Sequence, residues 1–502
     1  MSSSTEEPVQ HVRVAVVGSG FGGLGAAVRL RQEGVDDFVV LERAGSVGGT
    51  WRDNSYPGCA CDVPSHLYSF SFAPNPEWPR TFSGQPEIRA YLERIADRFR
   101  LRPHLRFHHE VLSARWDAGQ ARWELETNQG RYSAQVLVAA CGPLADPSVP
   151  DLPGLADFPG EVFHSARWNH DYDLAGKRVA VVGTGASAIQ IVPMIQPQVE
   201  RLVLLQRTPP WVMPRMDRDI TAAERWLYRR LPATQRALRA ALWGIREGQT
   251  RMFVNRPVLL RAAERMAKRN LDSHIADPAL RARLTPDYRF GCKRVLLSNT
   301  YYPALAQPNV DVAAGLREVR GSSVVAADGS EHEVDAIILG TGFHVTDMPI
   351  GSRITGAAGR TLAEEWKDGM AALRGTTVSG FPNLLFVIGP NTGLGTSSMV
   401  LMIESQLNYL ADYLRRLEGT GAAALDVAPA AQQRWNEAVQ RRMAGTVWNT
   451  GGCRSWYLDA NGNNTVLWPG TTAHFRRETR TVDLAEYELV GKRVPAPVRA
   501  DA

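Results

Sequence analysis

Residues 11–34 read HVRVAVVGSGFGGLGAAVRLRQEG. His11 to Val17 is an apolar run of strand length. Gly18-Ser19-Gly20-Phe21-Gly22-Gly23 makes a tight turn, and the segment after it carries apolar side chains at helical spacing until Gly34. A second strand, FVVLE, ends on Glu42, 19 residues after Gly23. Gly18, Gly20 and Gly23 thus form a GxGxxG turn between a strand and a helix, where a pyrophosphate approaches bare backbone at a helix N-terminus. The acid closing the second strand accepts from a ribose 2′-hydroxyl, so the site reads as one for FAD or NAD.

The same pattern returns once. KRVAVV, residues 177–182, leads into Gly183-Thr184-Gly185-Ala186-Ser187-Ala188, with alanine at the third glycine position. Its second strand, RLVLLQ, ends in Arg207-Thr208 instead of an acid. A carboxylate there repels a 2′-phosphate and an arginine pairs with it, so this site reads as NADP. Two such sites in one chain imply a flavoprotein reduced by NADPH.

Working outward, RYSAQVLVAACG (131–142) closes the first unit and DAIILGTGF (335–343) the second. Residues 146–159 are proline-rich and linker-like. The expected fold class is α/β, with two Rossmann-like, doubly wound dinucleotide-binding domains, the NADP domain inserted in the FAD domain. The bounds are 1–155 for the first part of the FAD domain, 156–339 for the NADP domain, and 340–502 for the FAD-domain return and C-terminal segment. Residues 399–417 read as a helix whose N-terminus points at the flavin. A helical insertion spans about 217–290, and residues 215–294 hold 19 basic and 8 acidic side chains. That insertion reads as amphipathic helices with a solvated basic face; a substrate lid or a membrane-surface patch is the sharper alternative.

Composition excludes several classes. At roughly 100–200 residues per domain, the 502 residues allow two to four domains. With 44% hydrophobic and 22% charged residues the chain is no disordered, fibrous or small disulfide-framework protein. The net charge of +5 is small, and 52 Arg against 5 Lys reads as coding bias, so no nucleic-acid partner is expected. No apolar run reaches the ~18 residues of a membrane span, and MSSSTEEPVQ resembles no targeting peptide, so neither membrane insertion nor export is expected. Five scattered cysteines suggest reduced thiols in the cytoplasm. No Cys/His spacing suits a metal. Cys59 and Cys61 form CxC, not the dithiol spacing of disulfide reductases.

Two further stretches name the chemistry. Phe158 to Trp168 reads FPGEVFHSARW, an FxGxxxHxxxW pattern, and Gly48-Gly49-Thr50-Trp51, Tyr56-Pro57-Gly58 and Asp62 follow [AG]GxWxxxx[FY]P[GM]xxxD. Both resemble fingerprints of type I Baeyer–Villiger monooxygenases, FAD- and NADPH-dependent class B flavoprotein monooxygenases, over about residues 10–475. Asn169, where that family usually has Pro or Asp, is a small departure. The related flavin-containing N- and S-oxygenases usually carry Tyr or Phe at the Trp168 position.

The resemblance implies a monooxygenase that converts a small-molecule ketone to an ester or lactone with NADPH and O₂, through a peroxide at flavin C4a. It also implies roles by position. Arg294 is the catalytic cation, whose guanidinium stays charged at any working pH, and Asp62 orients it beside the flavin. Lys293 helps hold the 2′-phosphate. Thr50, Trp51, Tyr68 and the backbone of Val111 touch FAD. Residues 184–190, with Thr184, Ser187 and Gln190, lie under the NADP pyrophosphate, and Trp456 packs near NADP in a mobile loop. His164 and Trp168, four apart, fit one helix face in an interdomain hinge. The substrate pocket is expected between the insertion and the loops around 343–350 and 440–460. An N- or S-oxygenase acting on amines or sulfides remains the alternative activity, and an electron-transfer reductase or a non-catalytic flavin-binding protein a third reading.

Overall fold

Val14, Ala15 and Val16 have no exposed surface. A strand buried on both faces belongs at the centre of a parallel sheet. In the computed structural model, which describes residues 8–255 and 257–492, Gln10–Val17 pairs in parallel with Phe38–Glu42 on one side and Gly130–Ala139 on the other. The N-terminal reading rested largely on residues 1–7, which lie outside the described residues. From edge to edge the first sheet runs Ile354–Thr355, Val111–Asp117, Arg122–Thr127, Gly130–Ala139, Gln10–Val17, Phe38–Glu42, Leu105–Phe107, and Leu384–Phe386 also joins Gly130–Ala139. The second sheet is wholly parallel, in the order Val310–Ala314, Arg201–Gln206, Arg178–Val182, Ala336–Leu339, Glu161–His164. All its strands lie between residues 161 and 339, while the first sheet takes strands from both sides of that segment. The fold is α/β, with one dinucleotide-binding domain inserted in another.

Both sheets use the same backbone bonds at their openings. Gly18 N–H donates to Leu41 (2.8 Å) and Ala140 N–H to Val17 (2.9 Å); Gly183 N–H donates to Leu205 (3.0 Å) and Gly340 N–H to Val182 (2.8 Å). Crossovers leave the central strand in opposite directions, so a crevice opens at its C-terminal end.

The insertion folds as helices Ala222–Arg230, Pro232–Asn255, Leu260–His274 and Pro278–Leu284. Its base is closed where Val212–Met213 pairs in parallel with Leu296–Leu297. These helices brace other segments. Gln235 donates to Asn75 O (2.7 Å), Arg239 to His66 O and Ser69 O (both 2.9 Å), and the buried Glu247 carboxylate accepts Thr472 N–H (2.9 Å). Helix Met399–Thr420 forms as read, capped by the Ser398 hydroxyl.

Two expectations need correction. His164 and Trp168 do not share a helix. Strand Glu161–His164 pairs with Ala336–Leu339, so the sheet claims the His164 backbone, and one 3₁₀ turn leads to Trp168. His164 meets Phe343 edge-on at 5.6 Å, and Trp168 meets Phe163 at 5.0 Å. Nor are all the thiols reduced: Cys292 and Cys453 are disulfide-bonded across 161 residues, while Cys59, Cys61 and Cys141 are free. Scatter along the chain hid the pair, because the C-terminal segment folds back beside Lys293-Arg294. Gly451 lets it approach, since a Cβ there would lie 2.5 Å from Cys292 Cβ.

A bridge closing so long a loop restricts the unfolded chain, typically by about 2–4 kcal/mol. Cys453→Ser is therefore expected to lower the thermal midpoint of flavin release, and dithiothreitol to lower it in the parent protein but not in the variant. A midpoint unmoved after mass spectrometry shows free thiols would remove the bridge from the stability of this region.

Candidate active site

One cavity of about 970 Å³ runs between the two glycine turns. Of the catalytic and cofactor-binding residues singled out by sequence, all line it except Gly23. Gly23 works from behind: a Cβ there would lie 1.8 Å from Gly18 O, so only glycine lets the helix close on the turn. Gly18 has φ +100°, and a Cβ would meet Ala140 O at 2.7 Å; Gly183, at φ +108°, has the same relation to Gly340 O at 2.5 Å. Gly20 and Gly185 leave bare backbone towards the cavity.

Glu42, at the end of the strand Phe38–Glu42, is buried and fully engaged. One oxygen accepts Ser19 N–H (3.0 Å) and Ser19 Oγ–H (2.7 Å); the other accepts Ala44 N–H (2.9 Å) and pairs with Arg52 (2.9 Å). A carboxylate offers about four acceptor positions, so a ribose hydroxyl would share Glu42 with Ser19 or Arg52. Arg52 was not singled out in the sequence. It occupies a variable position inside the Gly48–Asp62 signature, which hides it.

Thr50 and Trp51 stand on a short helix, Thr50–Asp53. Trp51 Nε1–H donates to Tyr68 OH (3.0 Å), and burial pushes the Tyr68 phenol well up, so it stays neutral. Val111 O accepts from Arg353 (2.8 Å). Two hydroxyls on the cavity wall, Ser397 beside the helix Met399–Thr420 and Thr465, are buried with no partner among the described residues. Buried hydroxyls are normally satisfied. With the bare glycine backbone, they fit this end of the cavity to a polar, extended ligand such as FAD.

On the second sheet's side, Thr184 Oγ–H donates to Thr208 O (2.8 Å), tying the turn to the strand end that carries Arg207. Ser187 and Gln190 lie at the start of helix Ala188–Ile195. The Gln190 amide accepts from Tyr56 OH (3.0 Å) and donates to Ala60 O (3.0 Å), so it stitches the 56–60 loop to this helix. Arg207 is exposed and Lys293 half-buried, its ammonium 5.1 Å from the Tyr288 ring centre. Burial and the neighbouring Arg207 push the Lys293 ammonium down, against Asp287. Two cations held this close form a cradle for an anion. Trp456 is 48% exposed on the cavity wall, against Tyr457.

Asp62 and Arg294 meet where the two halves of the cavity join. Arg294 Nε and Nη2 each donate to an Asp62 oxygen at 2.7 Å, and Nη1 donates to Leu394 O at 3.2 Å. Burial raises the Asp62 carboxyl, but the guanidinium outweighs it and holds the group below its ordinary value; Asp62 in turn keeps Arg294 charged against burial. Because the folded value is lowered, the pair's contribution is complete above the ordinary carboxylate range and is lost as pH falls through the folded value. Two more guanidiniums lie behind the pair, unread in the sequence among 19 cations. Arg246 interacts electrostatically with Asp62 and Arg294, and Arg215 donates to Cys61 O.

From the loops, Phe343, Val345, Met348, Pro349 and Ile350 line the cavity with Arg454, Ser455 and Trp456; of residues 217–290 only Tyr288 does. Burial pushes the Cys59 thiol up to about 12 and Cys61 higher still, which silences both as nucleophiles. Burial likewise lowers His164 to about 4, a neutral ring unsuited to carrying a proton near pH 7. Among the described residues no His, Cys, Asp or Glu cluster suits a metal ion, and no helix is long and apolar enough to cross a membrane.

Comparison with known proteins agrees with this geometry. The chain is 71% identical to a Baeyer–Villiger monooxygenase of Streptomyces coelicolor over 99% of its length and 96% of the relative. It is 50% identical to another of that name from Pseudomonas aeruginosa, over 97% and 93%. Among solved structures, an oxidised steroid monooxygenase bound to NADP is similar, with a TM-score of 0.83 and 31% identity over 96% of this chain and 100% of that one. A cyclohexanone monooxygenase from Rhodococcus sp. Phi1 bound to NADP⁺ matches with a TM-score of 0.85 and 29% identity, over the same shares. The family described as flavin-binding monooxygenase-like matches residues 11–350. With its two glycine turns facing one cavity, the chain belongs to the flavin-binding monooxygenase-like family.

Proposed function

We infer that this chain is a Baeyer–Villiger monooxygenase: ketone, NADPH, O₂ and H⁺ give an ester or lactone, NADP⁺ and water. The observation that carries this reading is the two-point Asp62–Arg294 pair at the junction of a cavity served by two dinucleotide turns. FAD, when bound, supplies the activation of oxygen, and NADPH supplies the two electrons.

The protein's own residues bind, orient and balance charge. Gly18, Gly20, Gly23 and Glu42 hold the adenosine diphosphate end of FAD. Thr50, Trp51, Tyr68 and the Val111 backbone line its remaining length. Gly183, Thr184, Gly185, Ser187 and Gln190 receive the NADP pyrophosphate. Arg207, Thr208 and Lys293 take the 2′-phosphate, which would relieve the repulsion between the two cations. Trp456, on the cavity wall, would pack near NADP. Residues 1–155 and 340–502 form the FAD domain, and 156–339 the NADP domain. Arg294 stabilises the negative charge that grows on the substrate's carbonyl oxygen as it is attacked. Asp62 fixes the guanidinium plane. A cytoplasmic site of action suits an enzyme that draws on reduced NADPH, although disulfides are uncommon there.

The Arg207 contact is charge-assisted, worth about 1.5–3 kcal/mol, or about 10–100-fold in affinity. Arg207→Ala is expected to raise KM for NADPH by that factor and to leave KM for NADH nearly unchanged. Equal losses for the two coenzymes would take Arg207 out of phosphate recognition.

Arg294→Ala is expected to keep FAD and lose about 10²–10³-fold or more in ester formation, with NADPH consumption diverted to hydrogen peroxide. The measurement is ester formed per NADPH consumed, over a ketone panel with product identification. Unchanged coupling in a slower variant, or sulfoxide and N-oxide as the only products of the parent enzyme, would favour the heteroatom oxygenase.

A further inference from the structure

Asp62 must present its two oxygens edge-on to Arg294, yet it sits in a loop, Cys59–Val63, that no regular strand or helix fixes. Cys61, the residue before Asp62, is held through both of its backbone groups. Cys61 N–H donates to Ser83 O at 3.0 Å, and Cys61 O accepts Arg215 Nη2–H at 3.0 Å. The same nitrogen reaches Phe82 O at 3.4 Å, and the guanidinium lies 5.1 Å from the Phe82 ring centre. Arg215 is 16% exposed, and its nearest carboxylate, Asp217, is 4.0 Å away, beyond hydrogen-bond reach. Its buried Nε has no hydrogen-bond partner. A guanidinium desolvated to this degree without a bidentate carboxylate is held by backbone carbonyls.

The backbone of Arg215 is clasped as well. Asn299 Oδ1 accepts Arg215 N–H at 2.7 Å, and Asn299 Nδ2–H donates to Arg215 O at 2.8 Å. Asn299 lies five residues beyond Arg294 on the same segment. That segment pairs with Val212–Met213, just ahead of Arg215, and Ser298 N–H donates to Met213 O at 3.0 Å. The contacts close a ring: Arg294 to Asp62, Cys61 O to Arg215, Arg215 to Asn299, and along the chain back to Arg294.

We propose that Arg215 is a positioning residue for the oxygenation, transmitting the position of the Arg294 segment, through Asn299 on one side and the Cys61 carbonyl on the other, to the Asp62 carboxylate. It touches neither substrate nor cofactor. The proposal rests on the reading of Arg294 and Asp62 given above. A 1 Å misplacement of a reacting group can cost about 10²-fold, so the loss should appear in kcat and coupling, not in binding.

The test uses the full-length holoenzyme and the variants Arg215→Ala, Asn299→Ala and the double variant. Expected are a kcat for ester formation lower by about 10–100-fold in each, with KM for ketone and NADPH, FAD content and melting midpoint near those of the parent. Because both act through one ring, the double variant should be no worse than Arg215→Ala. Parental kcat and coupling in Arg215→Ala, or losses that multiply in the double variant, would overturn the relay. If Arg215→Ala does not fold, Asn299→Ala decides alone, parental kcat in it being the overturning result. Crystal structures of the parent and Asn299→Ala give a readout free of turnover: the two 2.7 Å Asp62–Arg294 bonds should lengthen or reduce to one contact. Unmoved bonds overturn the proposal. If the parent forms no ester from any ketone, the activity reading fails, while the crystal comparison still decides the relay.

Discussion

A carboxylate from the first domain's loop and a guanidinium just past the second domain's insertion meet in one two-point contact on the wall of the shared cavity. Removing one partner of a buried ion pair costs about 3–5 kcal/mol, chiefly because the other is left charged and alone. Both Asp62 and Arg294 keep 26% of their side-chain surface, so solvent softens that figure. The direction is unaffected: neither charge can leave without stranding the other. The domains are thereby fixed across the cavity, not only through the linkers around residues 146–159 and 340.

Tight pairing raises a question of charge. An arginine matched by an aspartate at two points is close to neutral seen from a distance, yet the chemistry calls for a positive field. The surplus comes from behind. Arg246 acts on both Asp62 and Arg294, and Arg215 lies against the peptide that enters Asp62. Burial lowers both guanidiniums, the signature of charge held where water is scarce. Elsewhere on the cavity wall Lys293 feels the charge of Arg207, with Asp287 as the counter-charge. The Asp62–Arg294 pair supplies directed hydrogen bonds.

What could be read in the sequence follows from how local each signal is. Strand, glycine turn and helix are fixed by neighbours in the chain, so the turns at Gly18 and Gly183, the strand ending at Glu42 and the helix from Met399 were all visible. The place of Arg207, just past the end of strand Arg201–Gln206, was legible for the same reason. Contacts that depend on folding back were not. Cys292 and Cys453 lie 161 residues apart and no local pattern marks them as partners. The spacing of His164 and Trp168 suits a helix, but the sheet overrides it with a strand. The insertion's charge reads as a solvated basic face, with a lid or membrane patch as the alternative, whereas Gln235, Arg239 and Glu247 point inward as braces. Arg215 and Arg246 were invisible for a statistical reason: in a chain with 52 arginines, two buried ones look like the rest.

The ties between the domains are unequal. Gln190 holds the 56–60 loop through neutral bonds to Tyr56 and Ala60, each worth about 0.5–1.5 kcal/mol net. The Asp62–Arg294 contact, a few residues further along the same loop, is charge-assisted at both points, and hydrogen bonds to charged groups reach about 1.5–3 kcal/mol. Any rotation of the inserted domain against the first therefore strains the Gln190 end before the Asp62 end. Close packing adds an asymmetry of the same sense. Gly58 accepts the approach of Gln190 O, where a Cβ would stand 2.9 Å away, so that contact has no side chain to follow it as the gap widens.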